Sequence, residues 1–157
     1  MPASSDSSLA SHFDPIPTRG KVEVFSVRHP WDGVLRLVVR VPQGSPTTTE
    51  GYPGTAERAI ERYPHMAVHR CANGHRLGIV HELRSTEVAH LLEHALIEEA
   101  VAAGCVRSEI RGETAWDFAR DGHGVFRVRV HGIGSEALAL AAARAAAWSV
   151  GEILATA

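Results

Sequence analysis

Thr86 to Ala100 reads TEVAHLLEHALIEEA, and three of its residues could do chemistry: His90, Glu93 and His94. On a helix, residues four apart share a face, so the two histidines fall within about 40° of each other and about 6 Å apart along the axis. Imidazoles so placed can both reach one ion set between them, and zinc is the ion that most readily takes such nitrogen ligands. Glu93 precedes His94 by one residue and stands about 100° round the helix from it, beside an ion rather than on it.

That division of labour suits hydrolysis. The ion polarises a carbonyl and acidifies water, while an unligated carboxylate takes the proton. The order H-x-x-E-H is the arrangement of the inverzincin metallopeptidases. The plainer reading of the same residues is that His90 and His94 hydrogen-bond within a polar core. The surroundings favour the site: Leu91, Leu92, Ala95, Leu96, Ala100 and Ala102 cover most of the remaining circumference, and a helix apolar nearly all round is a buried one.

The elements that must position these residues follow from the pattern on either side. Ser85 or Thr86 can cap the helix, and Gly104 can stop it. Lys21 to Val27 and Gly33 to Val41 are rich in β-branched residues and read as a hairpin, and Thr55 to Tyr63 as a short helix that Pro64 ends. HMAVHRC and HRLGIVHEL flank an Asn73-Gly74 pair and read as a second hairpin, with Cys71 at a strand end. CVRSEIRGETAWDF and GVFRVRVHG form a third strand pair, and SEALALAAARAAAWSVGEILA a closing helix. Trp116 and Trp148 read as core. The order ββαββαββα implies an α+β fold, a mostly antiparallel sheet with helices packed on it.

Length and composition are those of one domain. Of the 157 residues, 45% are hydrophobic and 22% charged, which is ordinary globular usage with room for a single core. Residues 1–20, MPASSDSSLASHFDPIPTRG, are expected to be a disordered arm and 21–157 the folded domain. The arm lacks the basic start and apolar centre of a secretory signal. The Ala-rich C-terminal run is broken by Arg144, Ser149 and Glu152, so no membrane span is expected and the protein should be soluble and cytoplasmic. A formal net charge of -2 gives no reason to expect nucleic acid or an anionic membrane as partner. Homo-oligomers are compatible with all of this. Two cysteines, Cys71 and Cys105, imply free thiols rather than a disulfide framework.

The stretch HRCANGHRLGIVHELRSTEVAHLLEHALIEEA (His69 to Ala100), followed by GETAWDF and GVFRVRV, resembles the N-terminal domain of cyanophycin synthetase. A His-x-Cys-x-x-Gly stretch, an H-x-x-E-H helix and a G-V-Y/F strand occur there in the same order. The likeness runs from about Tyr63 to Leu154. It implies a small metallohydrolase-like domain that cuts cyanophycin or its β-aspartyl-arginine units. His90, Glu93 and His94 carry over directly, and Cys71 matches the family's cysteine. The ATP-grasp and Mur-ligase-like domains have no counterpart in these residues, nor does a nucleotide-binding loop, so synthesis is not expected of them.

A catalytic zinc needs a third protein ligand and an open position. Glu98, about 80° round the wheel and a turn beyond His94, is badly placed. Cys71 offers a soft thiolate, with Glu113 as runner-up; Cys105, just past the helix-stopping glycine, reads as core. Arg111 or Arg76 could hold a carboxylate or an oxyanion, and His69 and His75 could line the pocket. Three functional readings stay open: a zinc-dependent peptidase or amidase acting on a small peptide or isopeptide, a non-catalytic domain binding a polymer or protein around a structural zinc, and a lyase or isomerase using the same residues.

Overall fold

The computed structural model describes residues 12–70 and 78–155. Five antiparallel strands form one sheet: β1 (Phe13–Ile16), β2 (Glu23–Val27), β3 (Val34–Arg40), β4 (Val106–Ala115) and β5 (Val125–Ile133), in the spatial order β1-β2-β3-β5-β4. The helices are α1 (Thr55–Arg62), α2 (Ile79–Glu82), α3 (Val88–Ala102), α4 (Phe118–Asp121) and α5 (Glu136–Leu154). This is the expected α+β architecture.

Alternation decides which side of the sheet is core. Leu35, Leu37 and Val39 of β3 and Phe126, Val128 and Val130 of β5 are buried, because successive side chains on a strand point to opposite faces. The other face is solvated and tied by ion pairs, among them Arg129 to Glu113 at 2.7 Å and Arg127 to Asp121 at 3.0 Å. On the buried face α3 packs over β4 and β5 and against α5. The alanines of α5 at 139, 142, 143, 146 and 147 are all buried; their small side chains let the two helices approach closely. By length and composition α5 is apolar enough to cross a membrane, a test that a core helix also passes, and half of its apolar window is buried inside the fold.

The second expected hairpin does not form as read. Pro64–Val68 is a 3-10 helix and Ile79–Glu82 a short α-helix. Each buries one apolar anchor, Met66 and Ile79, and runs of four or five residues are too short for their period to separate strand from helix. The Asn73-Gly74 turn lies outside the described residues, as do His75, Cys71 and Arg76. The sheet also starts earlier than expected: Phe13–Ile16, within the segment read as an arm, pairs with β2 in the register Pro15 to Phe25, and Ile16 is buried. Its proline is tolerated because β1 is an edge strand. Both tryptophans read as core are surface residues, Trp116 51% and Trp148 46% exposed.

Candidate metal centre

The start of α3 is fixed by a loop rather than by its own cap. Neither Ser85 nor Thr86 caps it; the N-cap is Glu87, without a side-chain hydrogen bond. Instead the Thr49 amide donates to the Thr86 carbonyl at 2.8 Å, the Thr86 amide to Thr49 Oγ1 at 3.0 Å, and the Val88 amide to the Thr47 carbonyl at 2.9 Å. The Thr86 hydroxyl is thereby released for other use, and lies 2.9 Å from His90 Nδ1. At the other end Gly104, at φ +69, stops the helix as expected.

One turn along, the two histidines face each other. His90 Nε2 and His94 Nε2 are 3.0 Å apart, and a carboxylate oxygen of Glu93 completes a group whose ligand atoms all lie within 4.8 Å of one another. His94 is 2% exposed and Glu93 6%. Burial lowers both histidines: His94 falls to about 3, with its neighbours His90 and His69 adding to the effect, and His90 shifts in the same direction. Both rings are therefore neutral at pH 7, the form that offers a lone pair to a metal. Burial pushes Glu93 up, against the lowering effect of its hydrogen bond to Thr114, and the charge of Glu113 adds to the rise.

The group could hold a metal ion, and the spacing of its nitrogens can be compared with that of a zinc site. Two nitrogens bound at ~2.0–2.1 Å in a tetrahedral site stand about 3.3 Å apart, a few tenths of an ångström wider than the Nε2 pair. The far nitrogen of each ring is held by the protein, His90 Nδ1 by Thr86 and His94 Nδ1 by His69, as metal-bound imidazoles require.

Glu93 is held by β4. Thr114 Oγ1 donates to Glu93 Oε2 at 2.5 Å. Two residues back on the same face of the strand is Gly112, where a Cβ would come within 2.5 Å of Glu93 Oε1. β4 carries extra residues relative to β5 between Val106 and Arg111; such an irregularity re-aims a strand, and beyond it Gly112 and Thr114 turn towards α3.

The same alternation turns Glu113 away. Its carboxylate is 2.7 Å from Arg129, 3.6 Å from Arg111 and 3.7 Å from His131, and it does not join the group formed by His90, Glu93 and His94. Cys105 is buried, with its thiol donating to the Ala100 carbonyl at 3.2 Å, as the core reading has it. Cys71 lies outside the described residues. Arg70 lines the space around Glu93 and His94. Arg111 is exposed and lines the larger cleft. His69 uses both ring nitrogens inside the protein, at 2.8 Å from His94 Nδ1 and 2.6 Å from Glu98 Oε1.

Two clefts meet at this centre, sharing Arg70, Glu93, His94, Gly112 and Glu113. The smaller, about 400 Å³, is walled by Glu82, Glu87, His90 and Trp116. The larger, about 920 Å³, is walled by Val68, Ile97, Val101, Ile110 and Arg111. Thr86 as a partner of His90, Gly112, Thr114 and the contact of Glu98 with His69 were not picked out from the sequence. All but Thr86 act across tertiary contacts, and the only local sign of Thr86 is its place four residues before His90.

No curated protein matches the chain. A family model does: residues 36–155, from β3 to the end of α5, match the cyanophycin synthase-like N-terminal domain, and the chain belongs to that family.

Proposed function

We propose that the chain is a zinc-dependent hydrolase that cuts an amide bond in a small peptide or isopeptide. The observation that carries this reading is the pair of neutral imidazole nitrogens 3.0 Å apart beside a buried carboxylate, where two clefts meet. His90 and His94 would hold the ion through Nε2. A zinc ion supplies Lewis acidity, polarising the scissile carbonyl and lowering the pKa of water towards ~7.

Glu93 moves the protons. Its Oε2 is held by the Thr114 hydroxyl, which leaves Oε1 to take a proton from the attacking water. The water oxygen bonds to the carbonyl carbon, the C–N bond breaks, and the proton on Oε1 passes to the departing nitrogen. Burial raises the proton affinity of Glu93, which suits a group that must accept a proton and then return one. The family's name ties the domain to cyanophycin, and Glu82 and Glu87 line the smaller cleft, which suits a cationic side chain. β-Aspartyl-arginine material is therefore the first substrate to try.

The test is a cleavage screen of β-aspartyl-arginine dipeptide and a mixed peptide pool with zinc-loaded wild type and Glu93→Gln. The variant should fold and keep its zinc while hydrolysis falls ~10²- to 10⁴-fold, the usual worth of a positioned base. Equal rates in the two proteins would contradict the role of Glu93. Cleavage by neither would leave the domain as a binding module around a structural metal.

A further inference from the structure

In the wall of the larger cleft, beside the centre, lies a pair of residues that the hydrolytic reading does not use. His69 comes from the turn after the 3-10 helix, and Glu98 from α3 one turn beyond His94. His69 Nδ1 is 2.8 Å from His94 Nδ1, and His69 Nε2 is 2.6 Å from Glu98 Oε1. His69 and Glu98 are mostly buried, at 15% and 16% side-chain exposure. An ordered chain of three side chains thus runs from the metal-facing ring to a carboxylate, and the rings of His69 and His94 lie 5.0 Å apart, tilted by 39°.

Hydrogen-bond chemistry allows this chain one arrangement once His94 ligates. A neutral imidazole carries one N–H and one lone pair. If Nε2 of His94 gives its lone pair to an ion, Nδ1 must carry the proton, and the atom facing it is His69 Nδ1, which must then accept. His69 consequently carries its own proton on Nε2, which faces Glu98 Oε1, an acceptor when ionised. Every donor meets an acceptor, end to end. The opposite orientation would put the proton of His94 on Nε2 and block ligation.

We infer that His69 and Glu98 are positioning residues that set the His94 tautomer and ring orientation so that Nε2 presents its lone pair to the metal. This rests on the metal-centre reading above, and it gives both residues a role besides lining the larger cleft: His69 supports a ligand, and Glu98 acts through His69 instead of on the ion. A carboxylate-histidine support of this kind is worth ~10- to 100-fold in metal affinity.

The experiment uses the full chain with two readouts. In the metal-free protein, the ¹⁵N shifts of the His94 ring report its tautomer. In the loaded protein, competition with a chromophoric chelator reports zinc affinity. Wild type should show the Nδ1–H tautomer at His94. Glu98→Gln keeps an acceptor oxygen for His69 and should keep that tautomer, with zinc bound only a few-fold more weakly. Glu98→Leu and His69→Phe should lose the tautomer and bind zinc ~10- to 100-fold more weakly. An unchanged His94 tautomer in both Glu98→Leu and His69→Phe, with zinc affinity equal to wild type, would overturn the inference. Failure of wild type to bind zinc would instead remove the hydrolase reading, and the metal-free tautomers would still decide the role of the pair.

Discussion

Gly112 has no side chain because Glu93 occupies the place where one would go. A Cβ built on Gly112 falls 2.5 Å from Glu93 Oε1, 2.6 Å from its Cγ and 2.8 Å from its Cδ. Glu93 cannot simply swing aside, since Thr114 holds its other oxygen. Gly112→Ala should therefore leave the sheet and the two histidines in place but displace the carboxylate. Zinc binding should stay within a few-fold of wild type while hydrolysis drops at least tenfold, the scale on which small misplacements in an active site act. Steady-state kinetics beside a metal titration would show it; full activity would mean that the position of Glu93 is not critical.

Acid should weaken the metal-free protein through His94. Its folded-state value, about 3, lies below the ordinary 6.5 because of burial first and then of His90 and His69. The unfolded chain therefore takes up the proton before the folded one does. The stability tied to this ring is fully present above about 6.5 and is lost as pH falls from there towards about 3. Glu93 works the other way, because burial raises it, so a bare pH slope would mix the two. Urea denaturation of chelator-treated wild type and His94→Gln at pH 7.5 and pH 5 separates them. Wild type should lose more stability between the two pH values than the variant, and equal losses would refute the role of His94.

The two cysteines should differ sharply. The Cys105 thiol is buried and donates to the Ala100 carbonyl, whereas Cys71, outside the described residues, is the ligand that the family resemblance proposes. Serine is a harder, poorer ligand for zinc than a thiolate. Cys71→Ser should weaken zinc binding by tenfold or more, and Cys105→Ser should leave it unchanged. Equal affinities in the two variants, measured by chelator competition, would assign the third ligand elsewhere.

Most of the elements are legible in the sequence because their periods are long enough to count. β3 alternates over seven residues, as does β5 up to His131, and α3 and α5 show long apolar runs with a serine cap at Ser135 and a stop at Gly104. The short pieces are not. PHMAV and IVHE give one buried anchor each, which no period can sort, and the two prolines of FDPIP conceal an edge strand. The site divides in the same way. His90, Glu93 and His94 are neighbours on one helix, so their spacing announces them. Gly112 and Thr114 reach Glu93 only because β4 ends up beside α3, and nothing near them in the chain says so. Glu98 is the instructive case: the wheel angle that disqualifies it as a ligand is the one that sets it against His69.

Whether His90 and His94 share a metal ion is read from the zinc content of the purified, zinc-equilibrated and desalted protein by elemental analysis. Wild type should carry about one equivalent per chain, and His90→Ala/His94→Ala, still folded by circular dichroism, should carry none. Wild type without zinc, or a double variant that keeps its full equivalent, would contradict the account.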